Sequence, residues 1–141
     1  MAPIDLSRLP LDALVVLDSA PIIYLLEDHP KYRRRFEPIF DSHAAGHVRF
    51  AVTTITIAEV LTGPLAAGEE MLARRYRSIL ESWQVIDIDA DIAESAARMR
   101  GLFRLKLADA VQVASAIAIN ADALVTHDRD FSSVTGLSVI S

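Results

Sequence analysis

The sequence predicts an α/β fold: a central, mostly parallel five-stranded sheet flanked by helices. Three observations carry that prediction. Short apolar runs alternate with stretches of helical periodicity, which is the pattern of a domain built on a largely parallel sheet. The run Leu14-Val15-Val16-Leu17 is apolar without interruption, as strands covered on both faces are. Acidic residues also stand where apolar segments end, and in such sheets the carboxyl ends of the strands are where ligands bind.

The first strand is expected over Ala13 to Leu17. Ser19 and Pro21 then open a helix through Ile22-Ile23-Tyr24-Leu25-Leu26, proline being tolerated in a first turn. Pro30 begins a second helix to about His43, ended near Gly46. Val48 to Thr54 is β-branched and aromatic and reads as a strand. A short helix carrying Glu59 follows, stopped by Gly63-Pro64, and Met71, Leu72, Tyr76, Ile79 and Leu80 give helical periodicity from about Glu69 to Ser82. Val85-Ile86-Asp87-Ile88 is a third strand. Two helices come next, about Ala90 to Phe103 and Leu107 to Asn120, and the last strands are Ala123 to Thr126 and Leu137 to Ile140.

A chain of 141 residues fits one domain spanning 1–141, with 1–12 as an N-terminal extension. There is no cysteine, which excludes disulfides, thiolate metal sites and thiol nucleophiles. Met1-Ala2-Pro3-Ile4-Asp5-Leu6 lacks the layout of a signal peptide, and no apolar run approaches the ~20 residues that cross a bilayer. The expectation is a cytoplasmic protein without a membrane segment. A net charge of −5 argues against a protein that coats nucleic acid. Local basic groups remain available in Arg33-Arg34-Arg35, in Arg74, Arg75 and Arg77, and in Arg98, Arg100, Arg104 and Lys106. Each also suits a solvated helix face.

Four acids carry the functional argument. Asp18 closes the first strand, where it suits either a ligand or a helix N-cap. Glu59 has Thr56 and Thr62 at helical spacing, as on an ordinary polar helix face. Asp109 falls in the first turn of its helix, where the dipole favours negative charge, and Gln112 and Ser115 continue a stripe open to a solvent-exposed reading. Asp128 follows Ala123-Leu124-Val125-Thr126-His127 in a segment that also reads as a turn. Taken jointly, two acids lie on the expected ligand edge and two on helices able to flank it. Four gathered carboxylates repel one another unless a cation intervenes, and Mg²⁺ or Mn²⁺ prefers such oxygens while keeping several waters. The chemistry implied is hydrolysis of a phosphodiester by activated water, without a side-chain nucleophile.

The blocks Val16-Leu17-Asp18-Ser19, Thr54-Ile55-Thr56-Ile57-Ala58-Glu59-Val60-Leu61-Thr62-Gly63, Leu107-Ala108-Asp109-Ala110 with Ala114, and Leu124-Val125-Thr126-His127-Asp128-Arg129-Asp130-Phe131 come in a specific order and spacing. Over nearly the whole chain from Ala13 the sequence resembles a PIN domain, most of all the VapC-type ribonuclease toxins of type II toxin–antitoxin pairs. The resemblance implies a three-layer α/β fold and a Mg²⁺- or Mn²⁺-dependent endonuclease acting on single-stranded RNA. It implies Asp18, Glu59, Asp109 and Asp128 as the metal-holding catalytic quartet. It further implies a homodimer neutralised by a cognate VapB-type antitoxin. Family members often carry a polar residue two positions after the first acid, where this chain has Ala20, so Ser19 is the local hydroxyl instead. Thr126 and Asp130 complete the supporting set, and Phe131 is expected in the core.

His29, His43, His47 and His127 show no HExxH-like spacing and read as surface or turn residues, His127 alone standing close enough to the quartet to meet substrate. Neither a GxSxG elbow nor a GxxxxGK[ST] phosphate loop is present. The sequence therefore points to a metal-dependent endoribonuclease toxin, with Arg33 to Arg35 or Arg104 and Lys106 holding the RNA backbone. Two alternatives stand beside it: a PIN-type RNA-processing nuclease without an antitoxin, and a catalytically silent RNA-binding module.

Overall fold

A computed structural model describes residues 2–141, the side chains of Arg129 and Asp130 excepted. Five strands form one sheet: β1 (Ala13–Leu17), β2 (Val48–Thr53), β3 (Gln84–Ile86), β4 (Ala123–Val125) and β5 (Ser138–Ile140). Their order is β3-β2-β1-β4-β5, and every neighbouring pair runs parallel. The expected mostly parallel sheet is thus parallel throughout. The helices are α1 (Ser19–Leu26), α2 (Arg33–Ala44), α3 (Thr54–Ala66), α4 (Glu70–Glu81), α5 (Ala90–Phe103) and α6 (Leu107–Ala118).

Alternation along β1 divides the core. Ala13, Val15 and Leu17 face α1 to α4, where they meet Ile22, Phe36, Ile39, Val60, Tyr76 and Leu80. Leu14 and Val16 face α5 and α6, where they meet Ile92, Ala96, Ala110, Val113 and Ala114. All five β1 residues are buried, which explains their unbroken apolar run. The small residues of α6 let that helix lie close on the sheet. Phe131 closes the same layer and is buried. Ahead of β1, Ile4 is buried in the opposite layer and its amide donates to the Arg35 carbonyl.

Two helix limits differ from the sequence expectation. Helix α2 begins at Arg33 rather than Pro30, because the His29 ring intervenes: its Nδ1 accepts from the Lys31 and Tyr32 amides at 3.2 and 3.1 Å. Helix α3 runs through Gly63-Pro64 to Ala66. Pro64 removes one amide donor, but its ring is buried and packing offsets the loss. The helix stops where Gly68 adopts φ +74, a left-handed turn that glycine takes without a Cβ clash. No helix among the described residues is long and apolar enough to cross a membrane.

Candidate active site

The order β3-β2-β1-β4-β5 places the topological switch between β1 and β4. From β1 the chain moves outward to β2 on one side, and later returns to β4 on the other. Diverging connections leave a crevice at the carboxyl ends of these two strands, which is where open parallel sheets bind ligands. Asp18 directly follows β1, and its amide donates to the Val125 carbonyl of β4 at 2.9 Å. Thr126, His127 and Asp128 directly follow β4. Helix α3, carrying Glu59, springs from β2 in one helical layer. Helix α6, carrying Asp109, belongs to the other.

Of the two roles the sequence leaves open for Asp18, the structure shows the helix cap. Asp18 is the N-cap of α1, with Oδ1 accepting from the Ser19 amide at 2.8 Å. The same carboxylate accepts from Gln112 Nε2 at 3.0 Å (on Oδ1) and from Thr126 Oγ1 at 2.8 Å (on Oδ2). The donors come from α1, α6 and the β4 exit, so three elements fix one carboxylate. The Thr126 hydroxyl also accepts from the Asp128 amide at 3.1 Å, and so links two members of the quartet.

Glu59 stands at the rim, exposed along its flank. Its carboxyl is nonetheless pushed above the ordinary range, first by loss of water around it and then by the charge of Asp18, while a hydrogen bond from Ser19 draws it back. Asp18 and Glu59 therefore share one electrostatic environment, and Ser19 touches both. Asp109 lies one helical turn before Gln112 on α6, partly buried. Asp128 is partly buried at the crevice mouth. The side chain of Asp130 lies outside the described residues.

Beneath Asp18 runs a buried polar chain. Gln112 is 1% exposed. Its Oε1 accepts from Thr53 Oγ1 at 2.9 Å, and its Nε2 donates to Thr56 Oγ1 at 2.6 Å as well as to Asp18. Thr53 Oγ1 in turn caps α3 by accepting from the Thr56 amide. These contacts correct the reading of Thr56 as part of an ordinary polar helix face, and of Gln112 and Ser115 as an exposed stripe. All three are buried: Gln112 and Ser115 because α6 is covered on every side from Ala110 to Ala116, and Thr56 in the first turn of α3, where it meets Gln112. The sequence did carry a signal: a glutamine inside Ala110-Val111-Gln112-Val113-Ala114 has apolar neighbours all round, and a buried amide needs specific partners.

A second contact that sequence reading missed joins the Tyr24 hydroxyl to His127 Nδ1 at 2.7 Å. The His127 ring lies among Tyr24, Tyr32 and Phe36, with centroids 4.5 to 5.5 Å away. It ties the β4 exit to α1 and α2. Among the proposed RNA-holding groups, Arg33 pairs with Asp28 at 2.6 Å, and Arg35 reaches the carbonyls of Ala2 and Ser141. Arg104 and Lys106 are exposed beside the first turn of α6.

Among the described residues, no three His, Asp or Glu side chains converge closely enough to form a ready cage for an ion. The donor chemistry nevertheless fits a small hard cation. Asp18 and Glu59 present oxygen ligands whose mutual repulsion a cation would relieve. Mg²⁺ is commonly held by only one or two carboxylates, the remaining positions being filled by water and substrate phosphate.

The sequence profile of the PIN domain matches residues 15–137, and the chain belongs to the PIN domain family. A chain of a toxin–antitoxin complex from Klebsiella pneumoniae superimposes with TM-score 0.71 and 26% identity, over 90% of this chain and 96% of that one. A chain of the VapBC2 complex from Rickettsia felis, bound to a DNA fragment from its promoter, gives TM-score 0.71 at 20% identity, over 89% and 96%. The sarcin–ricin-loop-cleaving VapC toxin of Mycobacterium tuberculosis gives 0.69 at 16%, over 84% and 93%. At the identities of the last two, the likeness is one of fold. No curated protein matches the chain.

Proposed function

We propose that this protein is a divalent-metal-dependent endoribonuclease and the toxin of a VapBC-type pair. The observation that carries the reading is the acidic pair Asp18 and Glu59 at the switch point of a PIN fold, with Asp18 held by donors from three elements and its charge raising the Glu59 carboxyl. The similarity to a chain of a toxin–antitoxin complex supports the biological setting. Asp18, Glu59, Asp109 and Asp128 would hold Mg²⁺ or Mn²⁺. When bound, such an ion supplies an activated water and charge stabilisation at the scissile phosphate.

The chain's own residues do the rest. Ser19, Gln112 and Thr126 orient the Asp18 carboxylate, and Thr126 holds the Asp128 backbone in register with it. Arg104 and Lys106, exposed next to Asp109, attract the RNA backbone, where phosphate contacts position the strand without reading its sequence. The partner is an antitoxin of VapB type, and the protein itself pairs as a homodimer.

The test uses purified protein freed of any partner. It should cut single-stranded RNA with Mg²⁺ or Mn²⁺ and stop when EDTA is added. Asp18→Asn and Asp109→Asn should each lower cleavage at least ~1,000-fold, the loss of several kcal/mol of transition-state stabilisation, while keeping the parent circular dichroism. Variants that cut at the parent rate would refute the site.

A further inference from the structure

We infer that Gln112 is the positioning residue of this site: a buried amide that aims Asp18 at the metal position and transmits the rigidity of β2 and α3 to it. The inference rests on the metal-dependent reading above and extends it to a residue outside the acidic quartet.

The geometry leaves the amide one workable orientation. Thr53 Oγ1 carries a single proton, and its closer acceptor is Gln112 Oε1 at 2.9 Å, against 3.4 Å to Thr56 Oγ1. Turning the amide over would set its oxygen 3.0 Å from Asp18 Oδ1, two acceptors face to face, and would present the NH₂ to Thr53. The donors and acceptors around the amide thus fix which of its ends is the oxygen. With the oxygen held by Thr53, both remaining donors are committed, one to Thr56 and one to Asp18. The side chain is 1% exposed, so water cannot substitute for any partner.

The consequence concerns the free direction of the Asp18 carboxylate. Oδ1 receives Ser19 and Gln112, and Oδ2 receives Thr126. The Gln112 donor comes from α6, the Ser19 and Thr126 donors from α1 and the β4 exit. Among the described residues, removing it frees Asp18 from its only hydrogen bond to α6, the helix that also carries Asp109, and leaves the carboxylate held by Ser19 and Thr126 alone. Partners of this kind commonly change metal affinity or activity by ~10–100-fold when lost.

Ser115 supplies the control. It lies on the same helix, is also fully buried, and its hydroxyl has no hydrogen-bond partner among the described residues. Mn²⁺ binding to partner-free, RNA-free protein would be measured by calorimetry for the parent, Gln112→Met and Ser115→Ala, with RNA cleavage run in parallel. Gln112→Met should weaken Mn²⁺ binding ~10–100-fold and lower kcat comparably with KM for RNA unchanged, whereas Ser115→Ala should match the parent. A Gln112→Met protein that binds Mn²⁺ like Ser115→Ala overturns the inference while leaving the nuclease reading intact. A parent that neither binds Mn²⁺ nor cuts RNA sinks the nuclease reading itself. If Gln112→Met fails to fold, Thr53→Val addresses the same tether: it should weaken Mn²⁺ binding several-fold, and parent-like binding would overturn the inference.

Discussion

The buried interior of this protein consists of two unlike regions. On either face of the sheet lie apolar layers, in which the side chains of Val15 and Val125 on one face and Val16 and Leu124 on the other pack among hydrophobic neighbours. At the carboxyl edge runs a polar seam of Thr53, Thr56, Gln112 and Thr126, equally buried and converging on Asp18. The layers are bound by nondirectional burial, roughly 25 cal/mol per Å² of apolar surface, and tolerate exchange of similar shapes. In the seam each group has named partners at fixed distances. A layer residue should therefore mainly affect stability, and a seam residue mainly the geometry of Asp18.

The largest effect on stability is expected in a layer. Leu124, fully buried on β4 beside the central strand, should lose roughly 2–5 kcal/mol on Leu124→Ala, read from urea unfolding. Mn²⁺ affinity of the molecules that remain folded should stay near that of the parent. A collapse of metal binding in folded Leu124→Ala would erase the distinction between the two regions.

Thr126→Val makes the complementary change. The side chain keeps its shape and loses the hydroxyl that donates to Asp18 and accepts from the Asp128 amide. Unfolding free energy should fall by only about 1–2 kcal/mol, while RNA cleavage falls roughly 10–100-fold. Equal cleavage by parent and variant would show that the seam contributes only to folding.

The smallest expected effect is electrostatic. Burial and Asp18 raise the Glu59 carboxyl above its usual 4.5. Folding therefore binds this proton more tightly, so Glu59 does not oppose folding below pH 4.5 and opposes it as pH rises through its folded value. Exposure at the rim keeps the effect small. Asp18→Asn removes the second cause and should lower the Glu59 midpoint toward 4.5, measured by carboxyl NMR titration. A midpoint that stays put or climbs would separate the two acids.

Much of this was readable in the chain. Strand β1 announced itself because both of its faces are covered, and the strand–helix alternation gave a parallel sheet. The four acids were visible as polar groups at the ends of apolar runs. Helix limits were less legible: Gly63-Pro64 looks like a stop until Pro64 is seen to be buried, and Pro30 looks like a start until the His29 ring takes the amides that follow it. The roles of Gln112 and Thr56 were misread because helical spacing says which residues share a face, not whether another element covers it.

The sequence by itself determined the layers, because the periodicity of apolar residues encodes which side of a strand or helix must leave water. Only the tertiary structure decided the seam. Gln112 and Asp18 are 94 residues apart, as Thr126 and Asp18 are 108 apart. A hydrogen bond depends on the angle and a few tenths of an ångström between groups whose approach no local pattern records, whereas burial depends on little more than pattern and volume.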